Sequence, residues 1–142
     1  MIIGITGTTA GIGRAILGLP YEFVEFNRAD GDINDVSAVY NKLKDCDVFI
    51  NNAWHLDCQT KLLEYFFDKW ENKAKKIISI GSSVASYQPS GSGYSDYVDY
   101  KRELREKHCN IVNLKTTACK SFLINPGVTD TKLVASRECK KL

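Results

Sequence analysis

The sequence predicts a three-layer α/β fold of about five parallel strands in the order 2-1-3-4-5, with helices on both faces. Three observations predict it. Short apolar runs of strand length recur at 2–5, 22–26, 47–53, 76–83 and 121–127. Segments of helical periodicity separate them, and that alternation builds parallel sheets through crossover helices. The first run breaks into a glycine-rich turn, Gly7-Thr8-Thr9-Ala10-Gly11-Ile12-Gly13, before a helical pattern sets in at Arg14. With 142 residues and 44% hydrophobic content, the chain has the length of one domain, residues 1–142, that buries a real core.

The turn carries the most chemistry. Gly7 permits a tight turn with unusual backbone angles. Gly11 lets the main chain approach a pyrophosphate with no side chain between, and Gly13 lets helix lie close on strand. The N–H groups of the helix start and the helix dipole favour phosphate there. Strand, turn and helix are the front half of a dinucleotide-binding, Rossmann-like unit. Thr6-Gly7-x-x-x-Gly11-Ile12-Gly13 resembles the cofactor fingerprint of the short-chain dehydrogenase/reductase family. That resemblance implies NADP or NAD against Gly7, Thr8, Thr9, Gly11, Ile12 and Gly13, and it requires further landmarks downstream.

Pro20 ends the first helix, and the alternating Glu22-Phe-Val-Glu-Phe26 reads as the second strand. The residues just past such a strand meet the adenosine ribose: an acid selects NAD, and a base accommodates the phosphate of NADP. Here Asn27-Arg28 stand at the tip, so NADP is expected, with Arg28 as phosphate partner. Asp30 is an acid that arrives late and keeps NAD open. Asp32-Ile33 resembles the family's pair beside the adenine. Asp32 and Asn34 are also candidate N-caps for the next helix. The helix and strand that family members place before this pair are missing, so the sheet edge reads as trimmed.

Residues 35–45 show an amphipathic packing helix with Val36, Val39, Tyr40 and Leu43 on one face. Asp47-Val-Phe-Ile-Asn-Asn-Ala53 follows and resembles the family's strand ending in Asn-Asn-Ala-Gly. Asn51 and Asn52 are then expected to hold the central sheet, and with Ala53 to line the cofactor site. Trp54 stands where the family has glycine, which either alters the local turn or moves a bulky ring to the site rim. Residues 55–72 read as one helix buried through Leu56, Leu62, Leu63, Phe66, Phe67 and Trp70. The family's proton-relay asparagine falls near His55, which can both donate and accept. His55 and Cys58 lie one turn apart without a further ligand pair, so no metal is expected.

Lys76-Ile-Ile-Ser-Ile-Gly-Ser-Ser83 resembles the strand that delivers the family's catalytic serine. Ser83 is the candidate, with Ser82 and Ser86 as competitors. Tyr97-Val-Asp-Tyr-Lys101 is a Tyr-x-x-x-Lys at a helix start, one residue further from Ser83 than is usual in the family. Residues four apart share a helix face, so Tyr97 and Lys101 point together. A free phenol titrates near pH ~10, and a neighbouring ammonium favours the phenolate, which suits acid/base work. The helix is expected over 97–116. The next strand ends in Pro126-Gly127, and Val128 and Thr131 match the family's nicotinamide-capping loop.

The resemblance implies hydride transfer between NADPH and a small-molecule carbonyl or alcohol. Tyr97 would serve as acid/base, Lys101 would hold the ribose and Ser83 would orient the oxygen. Family members continue beyond the Pro-Gly loop into a substrate-binding segment, whereas 132–142 reads as a short polar tail. A second reading therefore stays open: a non-catalytic NAD(P)-binding module, acting as a sensor or partner subunit. The apolar faces of the helices at 55–72 and 97–116 suggest a homo-oligomer. A net charge of +2 with both signs interspersed argues against nucleic acid and anionic membrane. No apolar run approaches the ~20 residues that span a bilayer. Met1 leads straight into a strand, so no secretory leader is expected. Cys46, Cys58, Cys109, Cys119 and Cys139 show no paired spacing, as expected of reduced thiols in a cytoplasmic protein.

Overall fold

A computed structural model describes residues 1–87, 95–114 and 117–127. The elements in chain order are β1 (Ile2–Thr6), α1 (Gly11–Ile16), β2 (Glu22–Phe26), α2 (Val36–Leu43), β3 (Val48–Asn51), α3 (Cys58–Trp70), β4 (Lys76–Ile80), α4 (Val84–Tyr87), α5 (Ser95–Val112) and β5 (Lys120–Ile124). The strands form one sheet in the order β2-β1-β3-β4-β5, and every neighbouring pair is parallel. This is the topology expected from the sequence.

Strand alternation divides the apolar residues between two layers. Ile3, Ile5, Val48, Ile50 and Ile80 face one way, where Ile12, Ile16 and Leu17 from α1 and its exit cover them. The opposite face meets α2, α3 and α5 in a larger core built on Phe49, Leu62, Leu63, Phe66, Trp70, Ile77 and Leu104. Phe49 and Phe66 stack there at 3.9 Å between ring centroids, and Trp70 meets Phe66 edge-on. Gly4 lies under α2, where a side chain would press on Leu43 and Cys46 at 3.1–3.3 Å. The apolar residues of α3 and α5 on which a homo-oligomer was expected are buried within the chain: Leu62, Leu63, Phe66, Trp70, Val98 and Leu104 are fully covered.

Several boundaries differ from expectation. α1 begins at Gly11, so the second half of the glycine turn is its first turn. α2 is capped by Asp35, whose carboxylate accepts from the Ala38 N–H at 3.2 Å, not by Asp32 or Asn34. The Asp32 carboxylate is turned onto Asn34, accepting from its backbone N–H at 2.9 Å and its amide at 3.1 Å. α3 begins at Cys58, not His55, because Leu56 sits at φ 52° in the left-handed region, which no right-handed helix contains. A short helix that the sequence did not announce, α4, follows the serine pair. No helix among the described residues is long and apolar enough to cross a membrane.

Candidate functional site

Parallel strands end together, so their carboxyl-terminal loops meet along one edge. The loops after β1, β2, β3, β4 and β5 bring five sequence landmarks to that edge.

The glycine turn leaves β1 with Gly7 at φ 73° and Gly11 at φ 60°, a region that disfavours side chains. A Cβ on Gly13 would stand 2.1 Å from the Gly7 carbonyl oxygen and 2.6 Å from Asn52 Nδ2. No side chain fits in that space, so the helix start lies directly on the turn. Asn52 locks the turn from β3. Its amide donates to the Thr6 carbonyl at 3.2 Å and the Gly7 carbonyl at 2.9 Å. The Thr6 hydroxyl accepts in return from the Asn52 and Ala53 N–H groups. Ile12 packs into the smaller core, and Thr9 begins the bend before α1.

β2 supports the other side of the turn. The Thr8 N–H donates to Asn27 Oδ1 at 3.0 Å, and the Asn27 amide donates to Thr8 Oγ1 at 2.9 Å. The Thr8 hydroxyl also donates to the Glu25 carboxylate. Glu25 was not singled out in the sequence, and its place two residues before Asn27, on the same strand face, was the available signal. Arg28 is exposed in the turn past β2. Asp30 is committed elsewhere: it accepts from the Asn27 N–H at 2.8 Å and pairs with Lys42. Those two bonds, Lys42 foremost, hold its carboxyl below the usual range. Ile33 packs half-buried against the larger core, with Asp32 exposed beside it.

The catalytic candidates lie on the loop after β4 and on α5. The Ser83 N–H donates to the Pro126 carbonyl at 3.2 Å, and the Gly81 N–H to the Ile124 carbonyl at 2.8 Å. The serine and Pro126-Gly127 loops are thereby joined. Of the competing serines, Ser82 is buried and its hydroxyl accepts from the Val84 N–H, while Ser86 accepts from Arg105 at 3.1 Å. Tyr97 is half-buried on α5. The Trp54 ring meets it edge-on at 5.0 Å, and Lys101 Nζ lies 5.4 Å from its ring centroid. Tyr97 and Lys101 therefore share a face as the spacing required. Val128 and Thr131 lie outside the described residues.

Lys101 is buried, with only 4% of its surface exposed. Its ammonium donates to Gln59 Oε1 at 2.7 Å and to the Ile80 carbonyl at 2.9 Å. Burial lowers its pKa from 10.5 to about 8, because removing the charge from water disfavours it. The sequence placed His55 in the relay at this point. His55 Nδ1 instead meets the Asn34 amide at 3.0 Å, and Gln59 is the α3 side chain on Lys101. A signal for Gln59 existed: it lies three and four residues before Leu62 and Leu63, on the stripe that α3 buries.

A glycine turn after β1 and a Tyr–Lys pair on the long helix before β5 stand on a parallel, five-stranded α/β sheet. No protein-family model matches the chain, and curated protein sequences give no match. Solved structures do match. A short-chain dehydrogenase from Burkholderia cenocepacia J2315, in complex with NADP, superposes at TM-score 0.76 and 17% identity, over 99% of this chain and 77% of that one. A short-chain dehydrogenase from Streptomyces avermitilis gives 0.71 and 18%, over 93% and 67%. A short-chain dehydrogenase/reductase from Burkholderia phymatum, in complex with NAD, gives 0.68 and 12%, over 96% and 69%. The chain has the short-chain dehydrogenase/reductase fold.

Proposed function

We propose that this chain is an NAD(P)-dependent oxidoreductase acting on a small-molecule carbonyl or alcohol. One observation carries the reading: the glycine turn at 7–13 and the Ser83, Tyr97 and Lys101 set lie on the same edge of the sheet. The turn fits a dinucleotide because left-handed Gly7 and Gly11, with Gly13 against Gly7, leave main chain where a pyrophosphate would lie. When bound, the nicotinamide supplies or accepts the hydride. Tyr97 moves the proton on the substrate oxygen, and Ser83 orients that oxygen by hydrogen bonding. Lys101 places positive charge beside the phenol ring and offers its remaining donor to the ribose. Thr8, Asn27 and Arg28 receive the adenosine end, with Asp32 and Ile33 beside the adenine. The exposed, basic Arg28 favours NADP. Asn52 and Ala53, backed by the buried Asn51, would frame the middle of the cofactor, and Pro126 and Gly127 would cap the nicotinamide together with Val128 and Thr131, which lie outside the described residues.

A non-catalytic cofactor-binding module is the second reading, favoured by one observation. Trp54 replaces the family's glycine, and its ring leans on Tyr97. NADPH oxidation against a panel of aldehydes and ketones, with Tyr97→Phe alongside, decides between them. The enzyme reading expects turnover that falls about 100-fold or more in the variant with cofactor affinity kept. Saturable NADPH binding without turnover of any carbonyl supports the module.

A further inference from the structure

We propose that Gln59 is the positioning residue for Lys101: its side-chain carbonyl fixes the amine beneath Tyr97 and governs the charge that the amine presents there. The inference rests on the catalytic reading of Lys101 given above.

The orientation of Gln59 is forced by its other end. Its Nε2 donates to the Asn51 carbonyl at 2.8 Å and to the Ile80 carbonyl at 2.9 Å. Two acceptors on two strands consume both amide hydrogens, so Oε1 must face the opposite way, toward Lys101. α3 is pinned to the same strand from its own backbone, where the Asn51 amide donates to the Gln59 carbonyl at 2.8 Å. Gln59 is 3% exposed, so water does not compete for its carbonyl.

Lys101 lies on the buried stripe of α5, between Val98 and Leu104, where an apolar residue would serve packing better. Two of its three donors are taken, both by neutral oxygens. The groups facing it are the Cys58 thiol and Gln59 from α3, the Ile80 carbonyl from β4, and the Tyr97 ring from its own helix. Among the described residues no carboxylate pairs with it. A buried ammonium with neutral partners is more easily discharged than an ion-paired one, and the burial-lowered pKa agrees. The neutral amide therefore keeps the amine in place while leaving its proton loosely held. A glutamate at 59 would hold that proton firmly, and an apolar residue would neither place nor hold it.

The test is a titration of the Lys101 side chain by ¹³C NMR in the full chain, with the resonance assigned by its loss in Lys101→Met. Wild type is compared with Gln59→Glu and Gln59→Leu. We expect Gln59→Glu to raise the Lys101 midpoint by about one pH unit or more and Gln59→Leu to lower it. The alkaline limb of kcat/KM should move with the midpoint in each variant. Should Gln59→Leu fail to fold by circular dichroism, Gln59→Glu decides alone. An unmoved Lys101 midpoint in Gln59→Glu overturns the positioning role even if carbonyls are reduced. A moved midpoint without turnover of any carbonyl leaves the positioning role standing and removes the enzyme reading instead.

Discussion

The carbonyl oxygen of Gly7 lies only 2.1 Å from where a Cβ on Gly13 would be. Real side-chain atoms do not approach that closely, and the oxygen belongs to a backbone that Asn52 holds from the neighbouring strand. Gly13→Ala must therefore spread α1 from β1 and deform the turn. Overpacking of this kind costs about 1–3 kcal/mol. NADPH affinity should fall together with the urea midpoint. A Gly13→Ala chain with wild-type stability and affinity would contradict the placement of the turn.

Lys101 makes stability depend on pH in a defined direction. Its folded pKa of about 8 lies below the ordinary 10.5. Between those values the unfolded chain binds more protons, so this group makes stability rise with pH through that window. Below about pH 8 the full penalty is present, on the order of 3 kcal/mol. Relative to Lys101→Met, the wild type should gain stability between pH 8 and 10.5. Urea unfolding of both chains across that range measures it, and a constant difference would refute it.

The same titration sets an alkaline limit to carbonyl reduction. Above about pH 8 the amine loses the charge beside Tyr97, so kcat/KM should decline with an inflection near that value. A profile flat to pH 9.5 would show that Lys101 stays charged in the working enzyme or takes no part.

Trp54 offers an optical report on the site. It is 38% exposed and touches Tyr97, whereas Trp70 is fully buried. Acrylamide should therefore quench Trp54 alone, and saturating NADPH should reduce that quenching. Trp54→Phe should abolish the quenchable fraction. Quenching indifferent to cofactor would place the dinucleotide away from the Trp54–Tyr97 rim.

Thiol reactivity should follow burial. Burial raises the pKa of Cys46, Cys58 and Cys119, the last to about 11, while Cys109 is exposed on α5. Thiolate is the reactive form. Among the described cysteines Cys109 should be alkylated first at pH 8, as peptide mass mapping would show. Prior modification of Cys58 in the folded chain would contradict the packing at the start of α3.

Much of the architecture was legible because it depends on local pattern. Apolar runs of strand length, amphipathic stretches between them and a glycine turn after the first run imply parallel crossover order with few alternatives. The boundaries were less legible where one residue's backbone overrode periodicity. Leu56 fits the apolar stripe of a helix begun at His55, yet it adopts a left-handed φ, and α3 starts later. Asp32 and Asn34 have the chemistry of caps, but they bond to each other and leave that task to Asp35.

By itself, the sequence determined the strand-length runs, the glycines of the turn after the first of them, and the shared face of Tyr97 and Lys101. Each follows from spacing within a few residues. Only the tertiary structure decided that Gln59 rather than His55 meets Lys101, that Glu25 joins Thr8, and that the amine is buried. Those outcomes depend on which side chains from α3, α5, β2 and β4 arrive at the same point. Such distances are set by how whole elements pack, and no local spacing encodes them.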